Sequence, residues 1–360
     1  MAKMVLGVLL AAAVCGGCGP KQQGGESEDS PVGYTFPVVG DKYVVLDILT
    51  DNKDEADAKA NAADALTRHP DIACMVGLWA YNPPQILNAL SDAGKLGKVK
   101  VVGFDENPST LNGISDGTVE GTIVQQPFGF GYKSVEFLAA YARGQDVEVP
   151  EGGMLYIDHS VITKDNVDEF KIQMQKIDDG VGDPPPKQRD DYDLSQPVKV
   201  AFITNSQDPF WEVARKGCQK GEADFQAECE FLAPPNGSVE EQKRYIEDLI
   251  TRGYQGLAIS PIDPSNQGEI INQACDKMPV ICQDSDAPQT RRKFYLGTSN
   301  YLAGRAAGKL VKQAIPEGGK VMIFVGKLEV LNAQERSRGL IDELRDKPLP
   351  PQFAQAAESE

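Results

Sequence analysis

From Val198 onward the sequence alternates short apolar runs with amphipathic stretches at a steady spacing, and no other feature narrows its possible folds so much. The runs "VKVAFIT", "ECEFLA", "GLAIS" and "PVICQD" are separated by helical patterns near Trp211 to Phe225, Val239 to Arg252 and Pro264 to Asp276. Buried strands joined by helices are the signature of βαβ units on a parallel sheet. Right-handed crossovers place helices on both faces and leave the loops at the carboxyl ends of the strands as the binding edge. The loops "NSQDPF", "SPIDPS" and "QDSDAP" fall on that edge. After Gly297 come a helix "NYLAGRAAGKLVKQA", a strand "VMIFVG" and a helix within "KLEVLNAQERSRGLIDEL". The chain then runs out in "RDKPLPPQFAQAAESE", which has no apolar periodicity, and the second half ends with an unfinished sheet.

The missing strands stand at the front. Between Tyr43 and Asp105 come "YVVLDIL", a helix near Asp54 to Thr67, "IACMVGL", a helix near Pro84 to Ala93, and "KVVGFD". "GTIVQQP" then leads to a helix near Gly131 to Arg143 and a last strand "GGMLYIDH". A chain of 360 residues exceeds what one compact core usually serves, so two units of about 150 residues each are expected. The expected fold class is α/β, two Rossmann-like lobes with parallel sheets, the second split across the two ends of the sequence.

Charge and composition exclude several functions. The formal charge is 36 minus 53, or -17, and no basic run or basic-aromatic stripe interrupts it. Nucleic acid is therefore excluded as a partner. There are two histidines, His69 and His159, both in segments that read as structural, so metal or triad chemistry based on histidine has no material. Beyond Cys15 and Cys18, five cysteines remain: Cys74, Cys218, Cys229, Cys275 and Cys282. With no CxxC, a zinc cage or thioredoxin-type centre is not expected, while pairing of Cys218 with Cys229 or Cys275 with Cys282 stays open beside plain buried thiols.

The opening "MAKMVLGVLLAAAVCGGC" sets Lys3 before an apolar run from Met4 to Val14, too short to span a bilayer and suited to a secretory signal. It resembles bacterial lipoprotein signals, which implies lipidation of Cys18, with Cys15 the alternative. Residues 1–18 are then a signal and residues 19–42, polar and Gly-rich, a flexible tether.

Seven motifs together carry a wider resemblance: "NSQDPFW", "TRGYQGLAISPIDP", "PVICQDSDAP", "NAQERSRG", "LTRHPDIACMVGLWAYN", "AGKLGKVKVVGFD" and "GTIVQQP". They resemble the periplasmic sugar-binding proteins of ABC importers, ribose-binding-protein-like, of the type I periplasmic binding fold. The resemblance covers about 300 residues. The order departs from it, because in the family the portion beginning at "VKVAFIT" comes first. The sequence thus reads as a circular permutant. Residues 177–197, with Pro-Pro-Pro and many charges, join the family's usual ends as an exposed linker, and residues 347–360 form a flexible tail. In this reading lobe one is 198–316 with the helix 127–144. Lobe two is 43–125 and 320–346 with the strand near 152–160. The hinge crossings lie near Glu317 to Gly319, Gln125 to Pro127 and Asp146 to Gly152.

A sugar presents hydroxyls around apolar ring faces, so its site needs aromatics and a belt of fixed polar groups. The resemblance implies an aromatic wall from Phe210 and Trp211, the latter alternatively a core anchor for its helix. Asp208 in the same turn accepts a sugar hydroxyl, caps the helix at Pro209, or both. Asp284 follows a buried strand, where an unpaired carboxylate is costly, so it meets a ligand or an arginine. Arg336 aligns with the family's sugar-binding arginine, whose fork donates to two neighbouring oxygens; Arg338 fits a solvated position better. Asn332 sits one turn earlier on the same face. Asn82, Asp105 and Gln125, each at a strand end, match positions that hold sugar hydroxyls, with turn formation as the plainer alternative. Ser285 stands where the family often has an arginine, and Lys53 where relatives put an aromatic. Both departures bear on which sugar is bound. Tyr81 is expected nearer the pocket rim than Trp79.

The implied function is capture of a pentose or hexose by hinge closure and delivery to an ABC permease, by a monomeric, lipid-anchored periplasmic protein with no cofactor. A non-sugar polyol ligand, or service as the sensing partner of a membrane receptor, stays open. An enzyme is disfavoured, since there is no nucleophile elbow, Walker loop or metal-spaced histidine set.

Overall fold

The computed structural model describes residues 24–150 and 152–353. The proposed signal and its Cys18 lie outside these residues. In chain order the elements are β1 (Val38–Val39), β2 (Tyr43–Thr50), α1 (Glu55–Arg68), β3 (Ile72–Gly77), α2 (Asn82–Asp92), β4 (Lys100–Phe104), α3 (Pro108–Asp116), β5 (Gly121–Val124), α4 (Pro127–Ala142), β6 (Met154–Tyr156), β7 (Ser160–Ile162) and α5 (Val167–Asp178). They continue as β8 (Val198–Ile203), α6 (Pro209–Phe225), β9 (Ala227–Leu232), α7 (Val239–Thr251), β10 (Leu257–Ile259), α8 (Pro264–Cys275), β11 (Val280–Gln283), β12 (Tyr295–Gly297), α9 (Asn300–Ala314), β13 (Gly319–Val325) and α10 (Leu331–Leu344).

Two sheets result. Lobe one holds a six-stranded parallel sheet in the order β6-β12-β11-β10-β8-β9. Lobe two holds a seven-stranded sheet in the order β1-β2-β13-β3-β4-β5-β7, parallel except for its edge strands β1 and β7. Central strands such as β10 and β11 are buried along their whole length, as expected for sheets covered by helices on both faces. The far end of the chain completes the sheet begun near its start: β13 pairs with both β2 and β3.

Within each lobe, helices pack by close backbone approach. In lobe one α4 lies on α6 at glycines: a Cβ on Gly131 would run into the Ala214 carbonyl and one on Gly217 into the Phe128 carbonyl. In lobe two α9 meets α10 the same way, Gly304 against the Arg336 carbonyl and Gly339 against the Tyr301 carbonyl. This contact corrects the expected boundary of lobe one at 316. Ala303, Ala306, Ala307, Leu310 and Val311 of α9 pack into the lobe-two core with β2, β13 and α10. The crossing therefore falls between β12 and α9, at Thr298–Ser299, and not at Glu317 to Gly319.

A second correction concerns the strand near 152–160. Met154–Tyr156 extends lobe one, pairing parallel with β12, and the strand given to lobe two is Ser160–Ile162, antiparallel to β5. Once α4 has returned the chain to lobe one, the nearest open strand edge is that of β12. The crossing is thus at 157–159, not at Asp146 to Gly152. The remaining crossing is at Gln125 and Gln126, between β5 and α4.

The segments read as flexible are packed where they are described. Within the expected tether, Val32, Tyr34 and Val38 are buried in the lobe-two core. The hydroxyls of Tyr34 and Tyr301 both donate to the buried Asp342, while Glu26 pairs with Arg345 and Lys347. In the expected tail Phe353 stacks on Tyr301 at 4.6 Å. The linker lies along α4, where buried Glu136 accepts from the Gln188 amide at 2.6 Å and the Tyr192 hydroxyl at 2.8 Å. A buried carboxylate needs such donors, and the linker supplies two of them beside Lys133 of α4.

Candidate functional site

The loops at the carboxyl ends of both sheets carry the candidate residues, and the parallel order of the strands is what brings them to one edge. In lobe one Asp284 directly follows β11 with left-handed backbone, φ 60°. It is 5% exposed, and its Oδ2 accepts from Ser260 Oγ at 3.1 Å and Asn205 Nδ2 at 3.5 Å. Burial pushes its carboxyl up to about 6; the Arg336 guanidinium opposes that rise, and Asp105 and Asp208 reinforce it. Asp208 occupies the N-cap position of α6 without capping it; its Oδ2 accepts instead from Ser206 Oγ at 2.7 Å. The capping role expected as one alternative is absent.

Trp211 takes its alternative role. It is 2% exposed within the lobe-one core, its ring edge against Phe202, and its indole N–H donates to Asn205 Oδ1 at 3.1 Å. It thereby anchors α6 and orients Asn205 toward Asp284. Phe210, half-buried between Phe130 and Trp211, is the aromatic of this turn left nearer solvent.

In lobe two Asp105 follows β4, also left-handed at φ 61°. Its Oδ1 accepts from Gln125 Nε2 at 2.9 Å, and its carbonyl from Thr122 Oγ1 at 2.9 Å. Burial raises its carboxyl, against the pull of Arg336. Arg336 itself is 2% exposed, lies 4.0 Å over the Phe104 ring, and donates through Nε to Asn300 at 2.9 Å and through Nη1 to the Leu78 carbonyl at 3.1 Å. Nη2 has no partner among the described residues, so one edge of the fork remains for a ligand. Asn332, one turn earlier, is 9% exposed with its Oδ1 buried and unpartnered.

Asn82 is placed differently from its expected role of holding a hydroxyl. Its Nδ2 donates to Asp51 Oδ2 at 2.9 Å and its Oδ1 accepts from the Trp79 amide at 3.1 Å. Asp51, 1% exposed at the end of β2, needs donors, and Asn82 and the Tyr81 hydroxyl supply them. Tyr81 is therefore tied to Asp51, while Gly326 leaves room for the Trp79 ring. Lys53, exposed in the turn after β2, sits over Trp79 with Nζ 5.4 Å from the ring centroid. Surrounding protein lowers its ammonium pKa, Lys327 adds to that, and Asp208 and Asp284 across the cleft oppose it.

Sequence reasoning missed Glu106. Burial, then Asp105 beside it, pushes its carboxyl up to about 8, and its Oε2 is enclosed with no partner among the described residues. Its position next to Asp105 in "GFDE" was the available signal.

Comparison with known proteins accords with this geometry. Residues 36–146 and 200–357 match the family described as the periplasmic binding protein domain. The ribose import binding protein of Salmonella typhimurium is 28% identical over 147 residues, 41% of this chain and 49% of that protein. Its counterpart in Escherichia coli is 27% identical over 147 residues, with the same shares. The chain thus spans about half the length of these curated relatives. A solved ABC transporter solute-binding protein from Burkholderia graminis, in complex with D-arabinose, is 30% identical over 42% of this chain and 53% of that one, with a TM-score of 0.40. Among the described residues no helix is long and apolar enough to cross a membrane. With its two parallel sheets and matches at both ends of the sequence, the chain belongs to the periplasmic binding protein domain family, a family of binding proteins and not of enzymes.

Proposed function

We propose that this protein captures a monosaccharide between its two lobes, closes over it about the three crossings, and delivers it to an ABC permease outside the cytoplasm. One observation carries the reading: Asp105 from lobe two and Asp284 from lobe one, each at the end of a central parallel strand, both come under the influence of the buried guanidinium of Arg336. Hydroxyls of a sugar ring can donate to these carboxylates while accepting from Arg336. Contacts to both lobes stabilise the closed arrangement over the open one. Each neutral hydrogen bond contributes only about 0.5–1.5 kcal/mol net, so affinity rests on several of them with Phe210 against a ring face.

The chain order is that of a circular permutant, a reading supported by the insertion of β13 between β2 and β3. Lipid anchoring through Cys18 belongs to the same proposal. The test is calorimetry on the full chain across pentoses, hexoses and polyols. Saturable one-to-one binding of a sugar, weakened by Asp105→Ala and Phe210→Ala, is expected. No heat from any of them with folded protein would overturn the proposal.

A further inference from the structure

Two cysteines meet where α6 packs on the edge strand of lobe one. Ala227, Cys229 and Phe231 alternate along β9, so all three face the same way, and they pack into one cluster with Trp211, Ala214, Cys218 and Phe225 of α6. Those four α6 residues recur at helical spacing and form its inner face. A second tie sets the register between helix and strand. Glu222, one turn after Cys218 on α6, accepts from the Cys229 backbone amide at 2.8 Å. Cys229 is thereby held beside Cys218, with its side chain turned toward the helix.

The two thiols differ in access. Cys218 is 2% exposed, and burial, then the adjacent Cys229 thiol, hold it well above the usual thiol range. Cys229 is half-buried on the strand that ends the sheet, with β8 on its one paired side. The other described cysteines lie elsewhere: Cys275 and Cys282 belong to the cluster on the opposite face of this sheet, and Cys74 to the core of lobe two. All five are thiols in this structure.

We propose that Cys218 and Cys229 form a disulfide outside the cytoplasm, a staple that fastens α6, whose first turn holds Phe210, to the edge of the lobe-one sheet. A periplasmic binding domain works in a compartment where disulfides form and persist. The oxidant is itself a disulfide, oxidised glutathione or an exchange protein of that compartment. The Cys229 thiolate, the more accessible one, attacks one of its sulfurs, forming a mixed disulfide and releasing the other sulfur as a thiolate. Cys218 then loses its proton to solvent and displaces the oxidant's remaining sulfur from Cys229. The Cys218–Cys229 bond forms, and the oxidant takes up two electrons and, through solvent, the two protons the cysteines lost, leaving as two thiols. The bond closes a short loop, residues 219–228, which turns through Gln226 at φ 49°. Closing it restricts the unfolded chain, whatever ligand the cleft takes.

For the test, the full chain is reduced, freed of reductant, incubated with oxidised glutathione, denatured in iodoacetamide and cut with trypsin. Cleavage after Lys216, Lys220 and Lys243 separates residues 217–220 from 221–243, each holding one of the two cysteines. A linked pair of these peptides is expected, with Cys74, Cys275 and Cys282 alkylated. Alkyl groups on both Cys218 and Cys229, glutathione left on either, or either joined to another cysteine would overturn the proposal. Thermal denaturation gives a second readout. Reductant should lower the Tm of the oxidised parent by about 5–10 °C and leave that of Cys229→Ser unmoved. An equal shift in Cys229→Ser would assign the effect to another bond, and no shift in the parent would overturn the role of a staple.

Discussion

Asp284 and Asp105 occupy matching places in the two lobes and are held in unlike ways. Each follows a buried parallel strand in left-handed backbone, at φ 60° and 61°. Asp284 has two donors from its own lobe, Ser260 and Asn205, and Asn205 is fixed in turn by the indole N–H of core residue Trp211. Asp105 has one side-chain donor, Gln125, which sits at a crossing between lobes. The lobe-one half of the site is therefore backed by a relay into a packed core, whereas the lobe-two half is backed by a residue at a crossing between the lobes. A stiff wall on one side and a donor placed at a crossing on the other is the arrangement that the proposed closure would use.

The strongest way to break the comparison is to remove the cation both halves share. Arg336→Met should cost about 3–5 kcal/mol of stability, since it leaves the Asn300 side chain and the Leu78 carbonyl without their donor and takes away the positive charge that offsets the burial of Asp105 and Asp284. Thermal denaturation would show it, and retention of the parent Tm would place the guanidinium in solvent. Trp211→Ala should cost a comparable or slightly smaller amount, about 3–5 kcal/mol for a buried tryptophan. Half-buried Phe210 should lose affinity with little stability when truncated. Equal thermal losses in the two variants would break the division between a structural Trp211 and a ligand-facing Phe210. A smaller effect sharpens the donor argument. Gln125→Ala strips Asp105 of its one side-chain donor among the described residues and should cost about 1–3 kcal/mol, whereas Ser260→Ala leaves Asn205 on Asp284 and should cost about 0.5–1.5 kcal/mol. The reverse ranking in denaturant melts would sink the asymmetry.

How much of this was legible in the sequence depends on what each feature requires. Strands such as "GLAIS" and "KVVGFD" carry their own apolar mark, and the residues after them fall on the binding edge by topology alone. The lobe changes are not marked. Thr298 and Ser299 form the whole crossing into α9, and the lobe that helix joins is decided by its packing into the lobe-two core and by the close approach of Gly304 to the Arg336 backbone and of Gly339 to the Tyr301 backbone. The segment "ESEDSPVGYTF" reads as polar, yet Tyr34 is buried because Asp342 on α10 needs a donor that lies more than 300 residues away. Asn82 was recognised as a site-type residue, but the demand of Asp51 for donors, which engages its amide, is a three-dimensional fact. Glu106 was hidden by its neighbour: in a chain this acidic, one more carboxylate carries no signal until burial sets it apart.

The smallest effect separates the halves most finely. Unfolded carboxyls titrate near 4, whereas burial lifts Asp284 to about 6, Glu335 to about 7 and Glu106 to about 8. Below these values the folded protein holds protons that the unfolded chain releases, so stability rises as pH falls from about 8.5 to about 6, and it is lost as pH climbs through the same range. Carboxyls held low by ion pairs, such as Glu230 with Arg252 and Asp71 with Lys320, remain charged throughout that window and leave the slope alone. Tm measured by circular dichroism in the ligand-free protein should therefore increase by a few degrees from pH 8.5 to pH 6, at roughly 2–4 °C per kcal/mol for units of this size. Two of the three contributions can be resolved by mutation, one from each wall. Glu106→Gln should flatten the profile near pH 8, where the lobe-two carboxyl titrates. Asp284→Asn should flatten it near pH 6, where the lobe-one carboxyl does. If both variants altered the same part of the curve, the carboxyls would be titrating as one coupled group, and the cleft would have to be treated as a single electrostatic unit instead of two differently built walls.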